Sequence, residues 1–188
     1  MAVLTEAEKK VQVDKWVPIW NNLLLKNGIP ANKLPLVVSQ IILESNWFTS
    51  NAYKFDNNPG GITWNANYAK RPGASIGRKR PAREGGNYVK FDSYDSAAKD
   101  YVRILNINRG FGKPIDSTNY IQYADILKKN GYYASPQRHY EGGLKAALTR
   151  ISKWFNFSNI SPKADEKKKI RRSTGSNWFI RFFQFLRD

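Results

Sequence analysis

The run Leu36-Val37-Val38-Ser39-Gln40-Ile41-Ile42-Leu43-Glu44-Ser45-Asn46-Trp47-Phe48 constrains this chain more than any other segment. Its apolar positions recur at helical spacing and no proline or glycine interrupts it, so it reads as a buried helix ending near Ser50. On that spacing Glu44 shares a face with Val37 and Ile41 before it and with Trp47 and Phe48 after it. A carboxylate is thereby set into an apolar stripe. Ionising a carboxyl there without a partner is costly, so it tends to keep its proton through a raised pKa. A carboxylic acid still protonated near neutral pH can serve as a general acid. The competing reading is a hydrogen-bonded structural glutamate, and the run by itself leaves both open.

Around this helix the pattern alternates between helical and loop-like stretches. Thr5-Glu6-Ala7-Glu8 is a capping box for a first helix that carries Val11, Trp16, Ile19, Trp20, Leu23 and Leu24 and stops at Asn27-Gly28, with Pro18 inside it. From about Asp56 to Gly86 the chain turns loop-like, with Asn57-Asn58-Pro59-Gly60-Gly61, Arg71-Pro72-Gly73, Arg80-Pro81 and Gly85-Gly86 as punctuation. Two short strands are predicted within it, Gly61–Trp64 and Asn87–Phe91. Helices resume with Ser93 or Ser96 as the cap and continue through Ala97, Tyr101, Ile104 and Leu105. Another is predicted from Ser117 to about Lys129, stopping at Asn130-Gly131, and a last one carries Leu144, Leu148, Ile151, Trp154 and Phe155.

Composition removes several kinds of chemistry. The chain of 188 residues has no cysteine and a single histidine, His139. Disulfides, thiolate nucleophiles, a serine–histidine triad and an ordinary zinc site are thus not expected, and neither metal nor cofactor is implied. His139 itself reads as an ordinary helix or turn residue. A formal net charge of +16 points to an anionic partner: a cell-wall polymer, nucleic acid or a membrane surface. The Lys70–Arg83 stretch is densely basic, and reads either as a solvated loop or as a grip for carboxylates. The start, Met1-Ala2-Val3-Leu4-Thr5-Glu6, has no basic segment leading into a long apolar one, so it does not read as a signal peptide.

After Phe157 the character changes. A charged linker is expected over 159–175, containing Lys167-Lys168-Lys169 and Arg171-Arg172. Over 176–188 an amphipathic helix is expected, with Trp178, Phe179, Phe182, Phe183, Phe185 and Leu186 forming a wide apolar face for docking on a virion partner or a membrane surface. The remaining residues, 1–158, form the main domain.

Four motifs occur in order: Leu43-Glu44-Ser45-Asn46-Trp47, Asn57-Asn58-Pro59-Gly60-Gly61-Ile62, Phe91-Asp92-Ser93-Tyr94 with Asp100-Tyr101, and Gly131-Tyr132-Tyr133-Ala134-Ser135-Pro136. Together they resemble the bacterial and phage N-acetylglucosaminidase family, glycoside hydrolase family 73, which includes flagellar-type peptidoglycan hydrolases and autolysins. The resemblance covers about residues 15 to 155. It implies an α+β, lysozyme-like fold with a mainly helical lobe and a small β-hairpin lobe. It also implies cleavage of the β-1,4 bond after N-acetylglucosamine in peptidoglycan, with Glu44 in the place of the family's catalytic acid. Glu84 matches a second catalytic carboxylate on the β-lobe, against the simpler reading of a turn glutamate paired with Arg80 or Arg83. Asn57 and Asn58 fall in a loop that borders the sugar groove in the family, although Pro59-Gly60 departs from the family's pattern there. Tyr132 and Tyr133 stand where a tyrosine faces the acid and binds the acetamido sugar, and Trp47 and Trp64 are candidate stacking platforms that fit a core position equally well.

A muramidase or lytic transglycosylase of lysozyme-like fold is the nearest alternative, and a basic nucleic-acid-binding or structural virion protein the more distant one. No specific nucleic-acid motif is present. The expected setting is a product made in the cytoplasm that acts on the cell wall, as a phage lysis enzyme or a virion component, with a bacterial hydrolase exported by a dedicated machine as the other option.

Overall fold

The computed structural model describes residues 3–160. They form six α-helices and one antiparallel hairpin: α1 (Glu6–Lys26), α2 (Leu34–Glu44), α3 (Asn51–Asp56), β1 (Ala74–Lys79), β2 (Asn87–Phe91), α4 (Tyr94–Leu105), α5 (Tyr120–Lys129) and α6 (Gln137–Trp154). The architecture is α+β, a helical body with a small β-lobe, as expected. Contacts group the chain up to Ser158 into one compact unit. The linker and the aromatic helix expected over 159–175 and 176–188 lie outside the described residues, Asn159 and Ile160 apart.

The body is organised by α2, whose Val37, Val38, Ile41 and Ile42 are fully buried. It packs against α6, which presents Tyr140, Leu144, Ala147 and Ile151 at spacings of four, three and four residues. The two helices approach closely at Gly143, where a Cβ would stand 2.7 Å from Leu43 Cδ1. At the opposite side α1 is tied to α3 and α4 by an aromatic cluster. There Trp20 Nε1–H donates to the Tyr53 hydroxyl at 3.0 Å, and Tyr53 stacks on Tyr94 at 5.2 Å between ring centroids. The α1 capping box forms as predicted, and Ser93 caps α4.

Three boundaries differ from the sequence pattern. First, α2 ends at Glu44, not near Ser50. Asn46, Trp47 and Phe48 take φ values of +47°, +59° and +62°, a left-handed turn that such residues rarely adopt. Ser45 holds it, its Oγ accepting from Phe48 N–H at 2.9 Å and its carbonyl from Ser50 N–H at 2.9 Å. Trp47 and Phe48 are therefore not helical face-mates of Glu44. Phe48 drops into the aromatic cluster beside Tyr53, and Trp47 packs on Trp154. Second, the hairpin pairs Asn87–Phe91 with Ala74–Lys79, a segment read as loop because its charged, largely exposed residues show no apolar alternation. The Gly61–Trp64 strand is reduced to a single bridge of Thr63 with Tyr88, flanked by a bond from Val89 N–H to Ile62 O. Third, α5 begins at Tyr120, capped by the Asn119 side chain, three residues after Ser117.

Candidate active site

Glu44 is the last residue of α2, at the base of a cleft of about 820 Å³. Its lining includes the loop Gly60–Thr63, the side chains of Tyr68, Arg71 and Arg103, and the turn Gly131–Ala134. The left-handed turn explains why the acid faces this space: it stops the helix immediately after Glu44 and sends the chain away. Burial is the main cause that raises the Glu44 carboxyl from 4.5 to about 7, and a hydrogen bond from Tyr140 acts against it. The helix C-terminus, with its partial negative charge, favours the protonated form in the same direction as burial.

Tyr140 donates its hydroxyl to Glu44 Oε1 at 2.8 Å. The close approach of α6 to α2 at Gly143 makes that bond possible, because Tyr140 lies one helical turn before Gly143 and Glu44 directly follows Leu43. Tyr123 sits below, its hydroxyl donating to Gln40 Oε1, one turn before Glu44 on α2. Burial first, and the Glu44 charge second, push the phenols of Tyr123, Tyr132 and Tyr140 well above their ordinary values. These hydroxyls therefore remain proton donors throughout the working range of a carboxylic acid.

Tyr132 lines the cleft, and its buried hydroxyl, which neighbours that of Tyr101, meets no other hydrogen-bond partner in the protein. It is packed so closely that a Cβ on Gly60 would stand 2.9 Å from it. A buried phenol with no acceptor at the edge of a cleft is suited to donate to a bound ligand. Tyr133 also borders the cleft, but its hydroxyl is used in donating to Ala124 O at 3.0 Å, and its ring stacks on Tyr140 at 3.9 Å between centroids. It fixes the ring that holds Glu44.

The asparagine pair braces the loop that forms the cleft wall. Asn58 is fully buried; its Nδ2 donates to Ile62 O at 2.9 Å and to Val89 O at 2.8 Å, and its Oδ1 accepts from Ile62 N–H at 2.9 Å. Asn57, left-handed at the end of α3, donates to Phe91 O at 2.9 Å. Both attach the loop to β2, while Gly60, Gly61, Ile62 and Thr63 face the cleft. Trp47 and Trp64 lie outside the cleft lining; Trp47 contacts Trp154, and Trp64 sits 6.4 Å from Tyr68 between ring centroids. His139 is an exposed residue of α6.

Glu84 occupies the turn between β1 and β2 and pairs with Arg80 at 2.9 Å and with Arg83 at 3.7 Å. Arg80 lines the cleft; Glu84 does not. Among the described residues Glu44 is the one acidic group in the lining, and no group of three His, Cys, Asp or Glu side chains could hold a metal ion. Tyr140 was not singled out in the sequence. The available signal was its place at the head of the Tyr140-Leu144-Ala147-Ile151 stripe.

The family model for Glucosaminidase, described as mannosyl-glycoprotein endo-beta-N-acetylglucosaminidase, matches residues 17–153. Solved structures share the fold at low identity. A peptidoglycan hydrolase from Sphingomonas sp. A1 aligns with a TM-score of 0.55 and 19% identity over 82% of this chain and 99% of its own. The glycoside hydrolase domain of Salmonella typhimurium FlgJ gives 0.51 and 17% over 93% and 98%. A type VI secretion system effector–immunity complex from Pseudomonas protegens gives 0.51 and 18% over 77% and 94%. No curated protein matches the chain.

Proposed function

Because the chain belongs to the glucosaminidase family, we propose that it hydrolyses peptidoglycan at the β-1,4 bond after N-acetylglucosamine, with Glu44 as the general acid. The observation that carries this reading is the Glu44 carboxyl itself. It is held near pKa 7 by burial, fixed by Tyr140, and turned into a cleft large enough for sugar residues.

Glu44 gives its proton to the leaving glycosidic oxygen as the C1–O bond breaks, so the departing sugar leaves as a neutral alcohol. Positive charge developing on the ring then needs an electron pair. No second carboxylate lines the cleft among the described residues, so the acetamido oxygen of the substrate closes on C1. Water then displaces the acetamido oxygen from C1, breaking that C1–O bond and regenerating the N-acetyl group, and the Glu44 carboxylate takes up the proton that water loses. Tyr132 donates its free hydroxyl to the acetamido sugar, which orients that oxygen.

Glu44→Gln tests the assignment. The amide keeps the shape and still accepts from Tyr140, but it has no proton to give. Hydrolysis of purified cell wall is expected to fall by about 10²–10⁴-fold. A variant that retains more than about a tenth of the activity sinks the role of Glu44. Mass spectrometry of the digest reports the bond: new reducing ends on N-acetylglucosamine support the reading, and reducing ends on muramic acid make the enzyme a muramidase. Glu84→Gln, by the same account, leaves most of the rate intact; a loss as large as that of Glu44→Gln gives Glu84 the base or nucleophile role instead.

A further inference from the structure

Positive charge around the cleft exceeds the carboxylates that answer it. Arg71, Arg80, Arg103 and Arg109 all belong to the lining. Arg71 and Arg103 share one buried partner, Asp100, whose Oδ1 lies 3.4 Å from Arg71 Nη1 and 2.8 Å from Arg103 Nε. Two guanidinium groups against one carboxylate leave a positive charge uncompensated. Arg80 is engaged by Glu84. Arg109 enters none of the ion pairs found among the described residues.

The backbone of Arg109 is held in place. Its N–H donates to Asn130 Oδ1 at 3.1 Å, and Asn130 Nδ2 ties the same loop through Ile107 O at 3.1 Å and Gly112 O at 3.0 Å. The Arg109 guanidinium, at an exposed position, lies over Gly131, with Nη1 3.3 Å from where a Cβ would stand. Elsewhere in the lining, the Nε–H groups of Arg71 and Arg80 are buried without an acceptor in the protein. Buried guanidinium donors left unmatched are unfavourable, and an anionic ligand in the cleft would satisfy them.

We propose that Arg71 and Arg109 bind a carboxylate carried by the glycan next to the scissile bond, so that the cleft selects acidic over neutral β-1,4-linked amino-sugar chains. This deepens the glycan-hydrolase reading above and rests on it. In a wall polymer the carboxylate has two sources. One is the peptide attached to the lactyl ether of muramic acid; the other is the lactyl carboxylate itself, exposed when the peptide is removed.

The test measures binding to the Glu44→Gln protein, in which the substrate is held and not cut. Calorimetric titrations compare peptide-bearing glycan chains, the same chains stripped of peptide by an amidase, and neutral chito-oligosaccharides of equal length. Acidic chains are expected to bind about tenfold tighter than neutral ones, the size of one charge-assisted hydrogen bond, with the gap narrowing as salt rises. Adding Arg71→Gln and Arg109→Gln in that background is expected to remove most of the ratio. Arg109→Gln alone, an exposed position, gives a partial loss and serves if the double variant melts early. Preference confined to peptide-bearing chains places the carboxylate on the peptide; preference shared by stripped chains places it on the lactyl ether. Equal affinity for all three, or a preference that survives both arginine substitutions, overturns the proposal. Wall hydrolysis by the unaltered enzyme is read separately, so its absence overturns the parent function and not this selectivity.

Discussion

Glu44→Gln is expected to stabilise the fold above neutral pH while it removes the activity. Burial lifts the folded carboxyl from 4.5 to about 7, so the folded state holds this proton more tightly than the unfolded chain does. For a group raised in this way the contribution to stability is complete below about pH 4.5 and is lost as pH rises through about 7. A gap of about 2.5 pH units, at about 1.4 kcal/mol each, corresponds to about 3 kcal/mol. Glu44 is partly open to the cleft, and solvent there reduces the effect to about 2–3 kcal/mol. Glutamine has no proton to lose, and its carbonyl still accepts from Tyr140. Urea unfolding of both proteins, followed by circular dichroism from acid to alkaline pH, isolates this one group because every other titration is common to the pair. The two proteins should be close to equal near pH 4, with the variant more stable by about 2–3 kcal/mol near pH 9. Parallel stability curves across that range would refute the claim that the carboxyl is held protonated by its burial, and with it the physical basis for its acid role.

Three further substitutions probe the surroundings of Glu44. Tyr140→Phe removes the 2.8 Å hydrogen bond that favours the ionised carboxylate, so the alkaline limb of kcat/KM should move upward by about one pH unit; a limb that stays in place means the bond does not bear on the proton. Asn58→Ala takes the Asn58 partner from the Val89 carbonyl and the Ile62 N–H and leaves the Ile62 carbonyl with only the Val89 N–H, and should lower stability by about 2–4 kcal/mol in chemical denaturation, against less than about 0.5 kcal/mol for an ordinary surface change. Gly60→Ala would put a methyl group 2.9 Å from the Tyr132 hydroxyl and 3.2 Å from Tyr101 Cε2, so wall hydrolysis should fall at least about tenfold with a melting temperature that changes little; full activity would show that Tyr132 is not set by this contact.

What the sequence discloses and what it conceals divide along a physical line. Glu44 is legible because a carboxylate within Val37, Val38, Ile41 and Ile42 violates the apolar pattern of its own helix, and that violation is local. Helices α1 and α4 are legible through their caps and apolar stripes, and α6 through its stripe alone, which repeats within a few turns. The left-handed turn at Asn46–Phe48 is not, since tryptophan and phenylalanine are residues that avoid positive φ, and the compensation comes from the Ser45 hydrogen bonds and from the buried aromatic cluster that receives Phe48. Strand β1 is hidden by its charges, because it has one neighbour and little to bury. Tyr140 is hidden by distance: it lies 96 residues beyond Glu44, in the polar stretch Gln137-Arg138-His139-Tyr140-Glu141. Its function depends on how near α6 comes to α2, and that is set at Gly143 by the absence of a side chain. A local anomaly thus identifies the acid, whereas the group that tunes the acid is chosen by helix packing. Gly143→Ala separates the two: a methyl group 2.7 Å from Leu43 Cδ1 is accommodated by a shift of α6, which lengthens the Tyr140 bond and reproduces part of the Tyr140→Phe shift in the alkaline limb with the hydroxyl still present, or by rotation of the Leu43 side chain, which leaves the limb in place and refutes the packing argument.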